Sequence, residues 1–135
     1  IVAKPAFRDT HPRVVIDEAH YNASTAGMAG RYWPLARLLR TDGYDVSRGT
    51  EAFSLRGLEG VKVLVIANAS GAPEPQFLGI NLPVSTSKSR GAPAFTSDEI
   101  HAVSEWVKQR GSLLLIADHA PFGAASEALA AQFAV

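Results

Sequence analysis

Three continuous apolar runs, RVVID (Arg13–Asp17), VKVLVIANA (Val61–Ala69) and SLLLIAD (Ser112–Asp118), constrain this chain more than any other feature. A strand with one wet face alternates apolar and polar residues. Unbroken runs rich in branched aliphatics belong to strands covered on both faces, the usual situation in a parallel sheet. The segments between them read as the covering helices. Tyr32–Thr41 places Leu35, Leu38 and Leu39 on one helical face, with Pro34 in the first turn, where its missing amide is no loss. DGYDVSRG supplies a glycine stop and a short second strand, expected at a sheet edge. TSDE at Thr96–Glu99 is a capping box, after which Ile100, Val103 and Val107 recur at helical spacing beside Trp106 until Gly111 ends the helix. AASEALAAQFA reads as an alanine-rich final helix.

Strand and helix in this alternation imply right-handed crossovers and an α/β, doubly wound parallel sheet. The expected strand order is 2-1-3-4, the flavodoxin-like arrangement, with the carboxyl ends of strands one, three and four side by side at the switch point where ligands bind. Residues 1–135 form one α/β domain. Its fourth strand is expected at an open edge that a fifth would ordinarily cover. The chain therefore reads as the N-terminal part of a longer domain, its last strand or strands supplied by a C-terminal segment or a second chain. Between strand three and the capped helix runs Ser70–Phe95, rich in Gly, Pro and Ser. A connection this long suggests a flap or flexible loop, with Phe77, Leu78, Ile80 and Leu82 as an apolar underside.

At the three strand ends the apolar pattern breaks in the same way. DEAHYN brings Asp17, Glu18, His20 and Asn22; NAS brings Asn68 and Ser70; DHAPFG brings Asp118 and His119. Carboxylate beside imidazole is what general acid–base catalysis requires, because each shifts the other's pKa towards working pH. The same groups could ligate a divalent metal through oxygen and nitrogen, although no H-x-x-x-H spacing supports one. Taken singly, Asp or Asn after a strand is an ordinary loop starter or helix cap. Convergence of three such ends on one face favours a functional crevice. Arg31, opening the first helix with Tyr32 and Trp33, could hold an anion there, or all three could form the rim of the core.

Several chemistries are excluded. VVIDEAH is spelled like a helicase ATPase motif, but no glycine precedes it and no Gly-Lys pair occurs anywhere, so the phosphate-cradling loop is missing. There is no G-x-S-x-G elbow and no G-x-G-x-x-G after a strand. Formal net charge is zero, which argues against nucleic acid and anionic membranes as partners, and no apolar run approaches the roughly 18 residues of a membrane helix. The absence of cysteine removes disulfides and thiolate zinc sites. His101 is expected in solvent and His11 has no evident partner.

With these residues placed, DEAHYN, LLRTDGYDV, VLVIANA and above all FTSDEIHAVSEWVKQRGSLLLIADHAPF resemble the class I glutamine amidotransferase-like superfamily, in an uncharacterised and often secreted bacterial branch. The last stretch is also similar to trehalose-utilisation-type domains. The resemblance covers Arg13 to about Phe133 and implies a flavodoxin-like sheet in a longer domain. It also implies a sharp turn carrying a catalytic cysteine; here that turn holds Asp118 and His119, so thiol-based glutamine hydrolysis is excluded for this segment.

The expected function is a hydrolase-like enzyme, secreted or periplasmic, acting on a polar small molecule or sugar derivative. Asp17 or Glu18 would orient or activate, His20 or His119 would move the proton, and Asn68 and Asp118 would position substrate, with Asn22, Arg31 and Ser70 as further binding residues. The alternatives are a non-catalytic sugar- or anion-binding module and a structural piece of a larger assembly.

Overall fold

A computed structural model describes residues 4–22, 26–28, 30–73, 76–77, 80–81 and 91–135. Its main sheet consists of β1 (Arg13–Asp17), β2 (Asp45–Gly49), β3 (Val61–Ala67) and β6 (Ser112–Ile116), all parallel and in the order β2-β1-β3-β6. This is the flavodoxin-like arrangement expected from the three apolar runs. Two-residue strands β4 (Gln76–Phe77) and β5 (Ile80–Asn81) form a separate antiparallel ladder within the long connection. The rest of the expected flap, residues 74–75, 78–79 and 82–90 and the side chains of its apolar underside, lies outside the described residues.

Alternation along the strands explains why their apolar runs are unbroken. Val15, Leu64 and Ile66 face a core completed by Val103 and Trp106 of α2 (Ser97–Lys108) and Leu129 of α3 (Phe122–Ala130). Val14, Ile16 and Val65 face the other way, towards Ala36 of α1 (Trp33–Thr41) and Val46 of β2. Each fully buried aliphatic of this kind stabilises the fold by about 1.5–3 kcal/mol, so the strands anchor both layers at once. A short 3-10 turn, Ala131–Phe133, follows α3.

Some boundaries and faces differ from the sequence reading. α1 begins at Trp33 and buries Ala36, while Leu38 is 52% exposed; three leucines at helical spacing are more than a short helix over two strands can cover. β3 stops at Ala67 and β6 at Ile116, so Asn68 and Asp118 lie in the turns beyond the strands. β6 pairs only with β3 among the described residues, and its Leu114 is 45% exposed.

The two ends of the long connection are held together. A Cβ on Gly71 would lie 2.4 Å from the Ala92 carbonyl oxygen and 2.5 Å from that of Pro93. Only glycine permits this approach. Ala94 N–H donates to the Ala125 carbonyl at 2.9 Å, fixing the returning strand of chain on α3.

Candidate functional site

DEAHYN folds back on itself where β1 ends. The fully buried Asp17 carboxylate accepts from the Ala19 amide at 3.1 Å and from the Asn22 side-chain amide at 3.0 Å. Asn22 also donates to the Ala67 carbonyl at 3.2 Å and accepts from the His20 amide at 3.1 Å, so its side chain is committed to the loop. These contacts turn the chain and deliver His20 beneath the surface.

His20 has a carboxylate at each ring nitrogen. Nδ1 lies 3.0 Å from both Asp17 oxygens and Nε2 lies 2.7 Å from Glu99 Oε1. The ring is flanked by Phe53 and Phe95, with centroids 4.7 and 4.8 Å away. Donating to both carboxylates requires protons on both nitrogens, the imidazolium form. Burial opposes that charge, but the hydrogen bonds and charges of Asp17 and Glu99 outweigh it and raise the pKa above the ordinary value.

Glu99 is the residue that sequence reasoning assigned only to helix capping. Its Oε2 accepts from the Thr96 amide at 2.9 Å and from the Thr96 hydroxyl at 2.8 Å, while Oε1 accepts from the Phe53 amide at 3.1 Å as well as from His20. Burial pushes this carboxyl up; the Thr96 amide, the His20 ring, the Thr96 hydroxyl and the Phe53 amide outweigh it and hold the pKa down at about 2. One side chain thus caps α2 and closes the His20 clamp. The available sequence signal was its place in the first turn of a helix that starts beside the carboxyl ends of the strands.

The remaining expected residues divide between structure and surface. The Glu18 side chain is buried against β2, accepting from the Ala26 amide at 2.8 Å and from Arg48 Nε at 2.7 Å. Ser70 N–H donates to the His20 carbonyl at 2.8 Å, tying the ends of β1 and β3, and its hydroxyl donates to Ala72 O at 2.9 Å. Asn68 is buried with φ at 50°, a left-handed conformation that Asn tolerates better than most residues. Its amide donates to the Ile116 carbonyl at 2.8 Å, and its side-chain oxygen accepts from the Asp118 amide at 3.3 Å.

Asp118 and His119 emerge on the other side of Asn68 into solvent. His119 Nδ1 is hydrogen-bonded to Asp118 Oδ1, and the His119 ring meets Phe122 edge-on at 5.0 Å. The imidazole holds the Asp118 carboxyl below its ordinary range, against the smaller effect of desolvation. Burial, and then the Asp118 charge, raise the pKa of the half-buried Tyr32 phenol. Arg31 beside it is exposed.

Of the residues expected to converge on one crevice, Asp17, His20 and Asn68 are buried, whereas Asp118 and His119 are exposed. All belong to the carboxyl ends of β1, β3 and β6. With both nitrogens engaged, His20 has no lone pair to accept a proton, whereas His119 Nε2 has no hydrogen-bond partner among the described residues. Among those residues no group of three or more His, Asp or Glu side chains is disposed to hold a metal ion. Compared with protein-family models, with curated proteins and with solved structures, the chain has no match.

Proposed function

We propose that the chain is a hydrolase-like acid–base domain, of a cysteine-less amidotransferase-like kind, acting on a polar small molecule or sugar derivative. His119 moves the proton and Asp118 orients the ring. The observation that carries this is the hydrogen-bonded Asp118–His119 pair beyond the carboxyl end of β6, the strand beside β3. A carboxylate on Nδ1 fixes the tautomer and steadies the imidazolium formed when Nε2 takes a proton from water or a substrate hydroxyl. Asn68 holds the Asp118 backbone, and the Tyr32 phenol, which feels the Asp118 charge, supplies a hydrogen-bond donor nearby. The Asp17–His20–Glu99 cluster, buried where β1 ends, takes no part in this step.

A panel of chromogenic esters, amides and glycosides tests the proposal. His119→Ala should lower kcat by about two orders of magnitude or more, and Asp118→Asn, which keeps shape and removes charge, should lower it with little change in KM. Full turnover in His119→Ala would overturn the assignment. One observation favours the second reading, a binding module: Asp17, His20 and Glu99 are consumed by one another. A module of that kind would show saturable sugar or anion affinity with no turnover on the whole panel.

A further inference from the structure

At the amino ends of the same strands, four cations gather along one groove. Two adjoining cavities, of ≈ 450 and ≈ 590 Å³, meet along Gly60, Lys62 and Arg110. Arg56 lines the first and Arg13 the second, while Glu59 is the sole acidic residue lining either. None of these four cations is ion-paired among the described residues. A formal net charge of zero conceals this grouping: Asp45 stands opposite Arg13 at the start of β2 and Glu59 lines the first cavity, while Asp17, Glu18, Glu99 and Asp118 lie at the opposite end of the sheet.

Arg110 occupies an unusual position. α2 ends in a Schellman motif, with Arg110 N–H donating to Val107 O at 2.9 Å and Gly111 N–H to Trp106 O at 3.0 Å. The left-handed residue of such a motif is ordinarily glycine. Here it is Arg110, at φ 75°, in a conformation that disfavours any side chain. The strain is accepted at the point where the two cavities join, and Arg110, like Lys62, lines both of them.

We propose that this groove binds a compact, multiply charged phosphate anion, whether free or carried on a small organic molecule. Arg110 would grip two phosphoryl oxygens through its planar fork and Lys62 would act as a point charge between the cavities, with Arg56 and Arg13 receiving further phosphates on either side. Cavities of this size suit a small ligand.

Inorganic tripolyphosphate is the probe, titrated calorimetrically into the chain at low salt, with orthophosphate in parallel. The expected result is saturable binding with one tripolyphosphate per chain, and orthophosphate weaker by roughly tenfold or more. Lys62→Ala and Arg110→Gly should each weaken binding by about tenfold or more. Arg110→Gly should also melt at the same or a higher temperature, since it relieves the strained backbone, which separates lost binding from lost folding. Arg37→Ala on exposed α1 removes the same charge elsewhere and should leave affinity unchanged. Absence of saturable binding, unchanged affinity in Lys62→Ala and Arg110→Gly, or an equal loss in Arg37→Ala would each overturn the proposal. A nucleoside triphosphate that binds more tightly than tripolyphosphate would assign the anion to an organic carrier; equal affinity would assign it to the free form.

Discussion

An imidazolium between two carboxylates is worth most when one member is removed. His20→Ala would leave Asp17 and Glu99 buried and facing a gap, with no cation between them. Breaking a buried charged cluster in this way costs about 3–5 kcal/mol, and the lost packing of Phe53 and Phe95 on the ring adds to it. Urea denaturation should show the midpoint falling accordingly; an unchanged midpoint would mean that the cluster contributes nothing to stability. Half of this cluster was legible in the sequence. Asp17 and Asn22 flank His20 within a few residues, and DEAHYN has the polar spacing of a self-bonded turn. Glu99 could not be paired with His20 in advance, because the contact spans 79 residues and the capping box already accounts for a Glu at that position. Burial was equally hidden: spelling does not distinguish a His that opens into a crevice from one sealed by two phenylalanines.

At the level of elements, α2 shows which signals survive folding. Both halves of its capping box form as expected, with Thr96 accepting from the Glu99 amide and Glu99 from the Thr96 amide. Gly111 also ends the helix as expected, but for another reason. It is not the left-handed residue; a Cβ there would lie 2.2 Å from the Trp106 ring. Gly111→Ala should therefore destabilise by overpacking, about 1–3 kcal/mol, read as a lower urea midpoint with the helical circular dichroism retained. An Ala variant as stable as the parent would show that Trp106 can shift freely, against its hydrogen bond to Val61 O. α1 teaches the converse lesson. Its leucine spacing identified the helix, yet the buried contact falls on Ala36, because periodicity locates an apolar stripe without saying how much of it the sheet will cover.

Over the whole molecule, the clamp predicts a bounded pH optimum for stability. His20 has a raised pKa, so its contribution is complete below its unfolded value of 6.5 and is lost as pH rises through the folded value. Glu99 has a lowered pKa, so its contribution is complete above an unfolded value of 4.5 and is lost as pH falls towards about 2. The lowered pKa of exposed Asp118 adds little to the acid limb, since solvent screens it. The melting temperature should form a plateau between about pH 4.5 and 6.5 and decline on both sides. A maximum above pH 8 would contradict a charged His20 in the native state.

The pinned contact between Gly71 and Ala92–Pro93 has a consequence for how such a chain can diversify. Because the base of the connection is clasped by backbone packing, the chain leaving β3 and the chain entering α2 are held side by side at Gly71 and Ala92–Pro93. Lengthening a closed loop costs only about 0.6 kcal/mol per doubling, so inserts of different size and composition can be exchanged there without moving β3 or α2. The junction works as a socket: what is carried between its two sides can change in length while the packing of the sheet beneath stays the same.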